Sequence, residues 1–332
     1  MEGLCEMMDE QGHIIDLHCD TLFKIQEEGG DFRKIFENSG CLDVSRLKQA
    51  NYWIQFFAAF IEADPLSEET SMEDGYQKAM EMFDIFDRAC SLRPETLCKV
   101  TSCQDALESR KTGKIGGILT VEEGGILNGK LERIDHLYDR GVRLITLLWN
   151  YENCLGFPNS PSASDMKKGL KPFGIETVEY MEEKGMLIDV SHMNDGGFWD
   201  VVSHTRKPFV ASHSNCRELT AHPRNLTDEM LRAIGERGGI AGLNFCPLFL
   251  NDEEGYGSIQ SMLAHIRHMI NAAGTDAVAI GTDFDGFPEK VEIAHAGEMN
   301  LLEKALKQDG YSAKEVEKIL WGNAWRVIKE VL

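Results

Sequence analysis

Hydrophobic positions along this chain alternate between two rhythms. Short apolar runs, rich in aromatic and β-branched residues, read as strands covered on both faces. Between them lie longer stretches with apolar residues every three or four positions, the mark of an amphipathic helix. The predicted strands cover residues 14–15, 52–61, 115–121, 142–148, 186–190, 208–211, 240–245 and 277–281. Helices are predicted around Tyr76, Ala79, Met80, Phe83 and Phe86, then over 131–140, 173–184, 195–203, 227–237, 258–273, 297–308 and 312–331. Residues 21–28 read as a helix or an ordered loop. Gly141 and Gly185 follow two of these segments as helix stops, and Thr227 precedes one as an N-cap. Alternation of this kind calls for a parallel sheet. Eight such units in about 300 residues predict a closed (β/α)8 barrel over residues 1–332, with helices at the C-terminal end. The Gly-, Pro- and Ser-containing segment 151–172 is long for a strand-to-helix connection and is expected to form a wall or lid.

Composition narrows the function classes. The net charge of −21 argues against a nucleic-acid or anionic-membrane partner, since a phosphate surface would repel the protein. Residues 1–6 lack the basic start and apolar core of a signal peptide, and no apolar run reaches membrane-spanning length. Nine scattered cysteines, none in a Cys-x-x-Cys pair, suit a reducing compartment, so a cytoplasmic location is expected.

The chemically able residues fall at strand ends. His18 and Asp20 follow the first strand, two positions apart and so on the same side. Glu122-Glu123 follows the third, His192 the fifth, His213 the sixth and Asp283 the eighth. A parallel barrel gathers these ends on one face, where catalysis is expected. Imidazole and carboxylate donors without thiolate suit Zn²⁺, with Mn²⁺, Fe²⁺ and Co²⁺ open by ligand type. The inventory exceeds one open tetrahedral site, so two metals sharing a carboxylate is the natural reading. Adjacent strand residues face opposite ways, so only one of Glu122 and Glu123 is expected to point inward. The remaining histidines, His13, His136, His204, His222, His265, His268 and His295, lie away from strand ends and read as core or surface residues.

Asp16-Leu17-His18-Cys19-Asp20, Glu123-Gly124-Gly125, Asp189-Val190-Ser191-His192, Ser212-His213-Ser214, Arg224-Asn225-Leu226 and Gly281-Thr282-Asp283-Phe284-Asp285-Gly286 occur in that order. In these motifs the chain resembles the renal or membrane dipeptidases, zinc metallopeptidases of the amidohydrolase superfamily. The resemblance runs from Ile14 to Arg326. It implies that His18 and Asp20 bind one zinc and His192 and His213 a second, and the Glu-Gly-Gly match selects Glu123 as the bridge. It further implies that Asp283 shuttles a proton from a metal-bridging hydroxide and that Arg224 binds the substrate's carboxylate. Asp16 is expected to act behind the ligands, and Asp285 to support Asp283 or to cap the segment that follows. The expected function is a binuclear zinc dipeptidase, with two Zn²⁺ per chain, acting on small dipeptides, L-Xaa-D-Xaa included; a homodimer is compatible with it. The family's animal members carry a histidine where this chain has Trp149-Asn150, so this pair is expected to contact substrate, with Trp149 shaping the acyl pocket. Cys246 likewise stands where family members often have tyrosine. The alternatives are another hydrolase of the superfamily, such as a lactonase, deaminase or cyclic amidase, and an inactive metal-binding scaffold.

Overall fold

The structure is a computed structural model that describes residues 13–62, 71–251, 255–288 and 290–332. The reading of residues 1–6 lies outside the described residues.

Eight strands close into a barrel: β1 (Ile14–Asp16), β2 (Tyr52–Phe60), β3 (Ile115–Glu122), β4 (Val142–Thr146), β5 (Leu187–Asp189), β6 (Val210–Ala211), β7 (Ile240–Leu243) and β8 (Val278–Ile280). Every neighbouring pair is parallel. The ring closes through Asp16 opposite Ile280 and through a long β2–β3 ladder from Ile54–Gly116 to Phe60–Glu122. The predicted strands are all present, and helices separate them, as a parallel sheet with crossover connections requires. β2 is buried along its whole length except at Phe60, which explains why its sequence is nearly continuously apolar.

The caps explain where several helices begin and end. The Thr227 side chain accepts from the Met230 N–H, and Gly185 stops its helix at a φ of 75°. Ser71 and Asp74 form a reciprocal capping box at the start of Met72–Leu92. The predicted 312–331 helix is not continuous: a π-turn at Lys318–Gly322 divides it. That turn carries Trp321 onto Trp53 at the N-terminal end of β2, with ring centroids 5.9 Å apart.

Three short strands have no counterpart in the sequence prediction. Leu97–Lys99 pairs with the first residues of β3, where β4 has not yet begun to pair. Tyr256–Gly257 and Lys290–Val291 form a small separate ladder. Segments of two or three residues are too short for a period to show. Among the described residues no helix is long and apolar enough to cross a membrane.

Candidate metal centre

The polar residues at the C-terminal strand ends meet above the barrel, all of them buried. Two residues past β1, His18 turns its Nε2 toward Glu122 Oε2 at 3.1 Å, Asp20 Oδ1 at 3.6 Å and Asp283 Oδ1 at 3.8 Å. On the other side, His192 Nε2 stands 3.0 Å and His213 Nε2 3.4 Å from Glu122 Oε1. The two imidazole nitrogens lie 3.1 Å from each other. Glu122 thus offers one oxygen to His18 and Asp20 and its other to His192 and His213. In three sets, His18–Asp20–Glu122, Glu122–His192–His213 and His18–His213–Asp283, the donor atoms lie within 4.8 Å of one another.

This placement corrects the Glu123 expectation. Glu122 is the last residue of β3 and faces inward, opposite Phe60 and Thr146 in the ladders. Glu123 leaves the strand in a left-handed conformation, φ 103°, which swings its side chain away from the cluster. Its carboxylate instead accepts from Gly125 N at 2.7 Å, Trp149 N at 3.1 Å and Asn153 Nδ2 at 2.5 Å. Burial holds the Glu123 carboxyl up at about 7. The glycines of the Glu-Gly-Gly motif serve this loop. A Cβ at Gly125 would meet Glu123 Oε1 at 2.4 Å.

Charge in the cluster is frustrated without a cation. Burial, reinforced by Glu122, raises Asp20 to about 6. Burial also raises Asp283 to about 7, against the pull of His18 and with the push of Asp20. Burial lowers His192 to about 4, with Arg224 adding to the effect, and burial together with His18 and Arg224 holds His213 well below its ordinary value. Both imidazoles are therefore neutral at pH 7, the state in which a ring nitrogen can ligate a metal. His18 Nδ1 and Nε2 and Asp20 Oδ1 have no hydrogen-bond partner. Buried polar atoms left open in this way are costly unless something else satisfies them. Neutral imidazole and carboxylate donors around these open atoms fit divalent metal ions of the Zn²⁺ type.

A network behind the cluster fixes its geometry. Asp189 accepts from Ser212 Oγ at 2.5 Å, Thr146 Oγ1 at 2.7 Å and the Ser212 and Ser191 N–H groups. Ser212 Oγ lies 2.6 Å from His213 Nδ1, so the ring is held from its far side. Asn150 Oδ1 stands 3.1 Å from His192 Nδ1, which leaves the Nε2 free to face the cluster. Asp16 receives the Thr282 N–H and hydroxyl, fixing the backbone one residue before Asp283. Asp285 ties together Thr21, Lys24 and the Cys41 N–H. Asn244 Nδ2 donates to Asp283 Oδ2 at 3.0 Å, leaving Oδ1 toward His18. Asn153 and Asn244 had no role in the sequence reading. Asn244 follows β7 directly, but the predicted strand runs on to residue 245 and hides it inside the apolar run. Gly286 permits the close approach of Asp283 and Asp20, since a Cβ there would meet their oxygens at 2.3 and 2.4 Å.

The cluster opens into a cavity of about 390 Å³. Asp20, Glu122, His192 and Asp283 reach it, and so do Trp149 and Asn150. Arg224 does not line it. Buried at 4% exposure, Arg224 donates to Ser214 Oγ at 2.5 Å and the His213 carbonyl at 2.9 Å, while its Nε has no partner. The 151–172 segment does not line the cavity either. It buttresses His192 from outside, through Asn159 N and Nδ2 donating to the His192 carbonyl.

Comparison with known proteins points to one family. Residues 5–332 match the family model of the membrane dipeptidases, peptidase family M19. A Klebsiella pneumoniae protein, described as an uncharacterized protein in the pqqA 5′ region, is 36% identical over 239 residues, 69% of this chain and 87% of that protein. The dipeptidase tcpJ of Claviceps purpurea is 26% identical, covering 97% of this chain and 77% of its own. Among solved structures, a metallo peptidase described as dipeptidase AC superposes with a TM-score of 0.89 at 26% identity, covering 97% of this chain and 99% of its own. A Rhodobacter sphaeroides metallo peptidase, liganded with a phosphinate mimic of L-Ala-D-Ala, shares the fold with a TM-score of 0.88 at 24% identity, over 97% of this chain and 100% of its own. The chain belongs to the membrane dipeptidase family, peptidase family M19, and is a metallo-dipeptidase.

Proposed function

We propose that this dipeptidase works with two divalent metal ions, zinc by the chemistry of the donors. His18 and Asp20 would hold one, His192 and His213 the other, and Glu122 both. The observation that carries this reading is the division of the Glu122 carboxylate, one oxygen facing each pair of ligands. Such a metal pair, when bound, supplies an activated water at neutral pH and polarises the peptide carbonyl.

The chain's own residues supply the rest. Asp283, anchored through Oδ2 by Asn244, presents Oδ1 to the cluster and is placed to take a proton from the attacking water and return it to the leaving amine. Asn150 orients His192. Arg224, with an unsatisfied Nε behind the His213 side, supplies the cation for the substrate's free carboxylate; a planar guanidinium suits that group. The ligand of the Rhodobacter sphaeroides peptidase supports L-Xaa-D-Xaa dipeptides as substrates to try first.

The test is a dipeptide panel with zinc-loaded protein, together with its metal content. About two ions per chain and turnover of free dipeptides are expected; fewer than one ion per chain would sink the reading. Arg224→Met is expected to lower kcat/KM on free dipeptides by about 10- to 100-fold, the worth of charge-assisted hydrogen bonds. Unchanged turnover in that variant would remove Arg224 from the carboxylate site.

A further inference from the structure

We propose that the Phe249 side chain is a gate over Arg224, which a substrate's carboxylate must turn aside to reach the guanidinium. The inference rests on the carboxylate role proposed for Arg224 above. It adds how that cation is reached, and by which ligands.

The position of Arg224 poses the problem. The side chain is buried and does not border the cavity, yet its Nε has no hydrogen-bond partner. Its remaining contacts, to Ser214 Oγ and the His213 carbonyl, fasten it from the β6 side. A sealed cation with an idle donor is costly to bury, and it cannot meet an anion until something moves. Phe249 touches both places. It lines the cavity, half-buried, and Arg224 Cζ lies over its ring, 5.6 Å from the centroid. The ring therefore stands at the boundary between the cation and the cavity.

The surroundings confine the movement to the side chain. Phe249 is the third residue of a single helical turn, Pro247–Leu250. Its carbonyl accepts from Asn215 Nδ2 at 3.2 Å and Asn225 Nδ2 at 3.0 Å, and Asn225 directly follows Arg224. The next carbonyl, of Leu250, faces His265 Nε2 at 2.9 Å. Ring and cation are thus pinned to one loop through the backbone, so uncovering Arg224 falls to rotation of the Phe249 ring. His222 packs on that ring at 5.0 Å, and its Nδ1 accepts the Arg224 N–H at 3.1 Å. The open space is the cavity itself, about 390 Å³. Contact with a ring is weaker than a charge-assisted bond from guanidinium to carboxylate. A free carboxylate therefore offsets the displacement of Phe249, whereas a neutral amide does not.

Arginine labelling of metal-loaded protein with phenylglyoxal, read residue by residue by peptide mass mapping, tests the gate. Arg224 should react at least about tenfold faster in Phe249→Ala than in the parent, the worth of one desolvated cation–ring contact. Arg33, whose side chain is 72% exposed, is the internal reference and should react equally in both. Phe249→Leu, which keeps an apolar cover, should stay near the parent. Phe249→Trp, with a larger ring to turn aside, should raise KM for Ala-Ala at least about threefold and leave kcat within about twofold. If the alanine variant fails to fold by circular dichroism, the leucine and tryptophan variants carry the test. Equal labelling of Arg224 in folded parent and Phe249→Ala, or a fall in kcat without a change in KM in Phe249→Trp, overturns the gate and leaves the dipeptidase reading intact. Unchanged dipeptide turnover in Arg224→Met overturns the carboxylate role itself, and the gate with it.

Discussion

The two ends of the barrel solve opposite problems. At the N-terminal end, Trp53 packs against Trp325 at 4.7 Å and Trp321 at 5.9 Å, with the Arg110 guanidinium over two of those rings. The Trp53 indole N–H donates to the Ala106 carbonyl at 2.9 Å, so the floor leaves this buried polar atom paired. The C-terminal end gathers three carboxylates and three imidazoles, with donor atoms of His18 and Asp20 unpaired. Backbone strain follows the same division. Asn51, at the floor, takes a left-handed φ that asparagine tolerates. At the mouth Glu123, His192, Asp283 and Asp285 all have positive φ, and for a glutamate that costs about 1–3 kcal/mol. One end is arranged for packing, and the other holds groups in positions that packing alone would not choose.

Substitutions at the two ends should therefore fail in different ways. Asp283→Asn is expected to lower kcat by about 10²–10⁴-fold, the range for losing a general acid–base group, while bound metal and unfolding midpoint stay near the parent's. A loss of metal in parallel with activity would reassign Asp283 to ligation. Trp53→Ala should do the reverse. It should cost about 3–5 kcal/mol of stability, read as a shift in the denaturant midpoint, yet leave kcat/KM per folded molecule within about twofold. A large kcat effect with little lost stability would erase the distinction between the ends.

A smaller effect is expected behind the Arg224 loop. His265 accepts from the Cys216 N–H at Nδ1 and faces the Leu250 carbonyl through Nε2, so its neutral form fits both partners. Burial lowers it to about 4, below the ordinary 6.5. The folded state then binds fewer protons than the unfolded one between those values. The stabilisation is complete above pH 6.5 and is lost as pH falls toward 4, by at most about 1.4 kcal/mol per pH unit. In metal-loaded protein, His265→Gln should show a shallower decline of the urea midpoint over that window. Identical slopes would mean that His265 does not titrate with unfolding.

Much of this was legible in the chain itself. The eight barrel strands announce themselves because a strand covered on both faces must be a continuous apolar run. The clustered histidines stand out because each comes within three residues of the end of such a run. Glu122 was not legible. Choosing it over Glu123 requires knowing where β3 ends and that residue 123 turns left-handed, and a glutamate gives no hint of positive φ. The neighbouring glycines pointed the wrong way, since they accommodate the Glu123 loop and not the metal cluster. Asp189 was visible within a motif, but its hold on Ser212 and Thr146 arises only when β4, β5 and β6 lie side by side. Trp149 was legible as an expected pocket residue, but its packing on Phe60 was not, since the two are far apart in sequence and meet only at the barrel mouth.

The assignment of the shared carboxylate is tested most directly by metal stoichiometry in two neighbouring variants, Glu122→Gln and Glu123→Gln, each checked for folding by circular dichroism. Glu122→Gln is expected to drop from about two ions per chain to one or fewer, whereas Glu123→Gln should keep both. Two retained ions in Glu122→Gln, or loss confined to Glu123→Gln, would contradict the account.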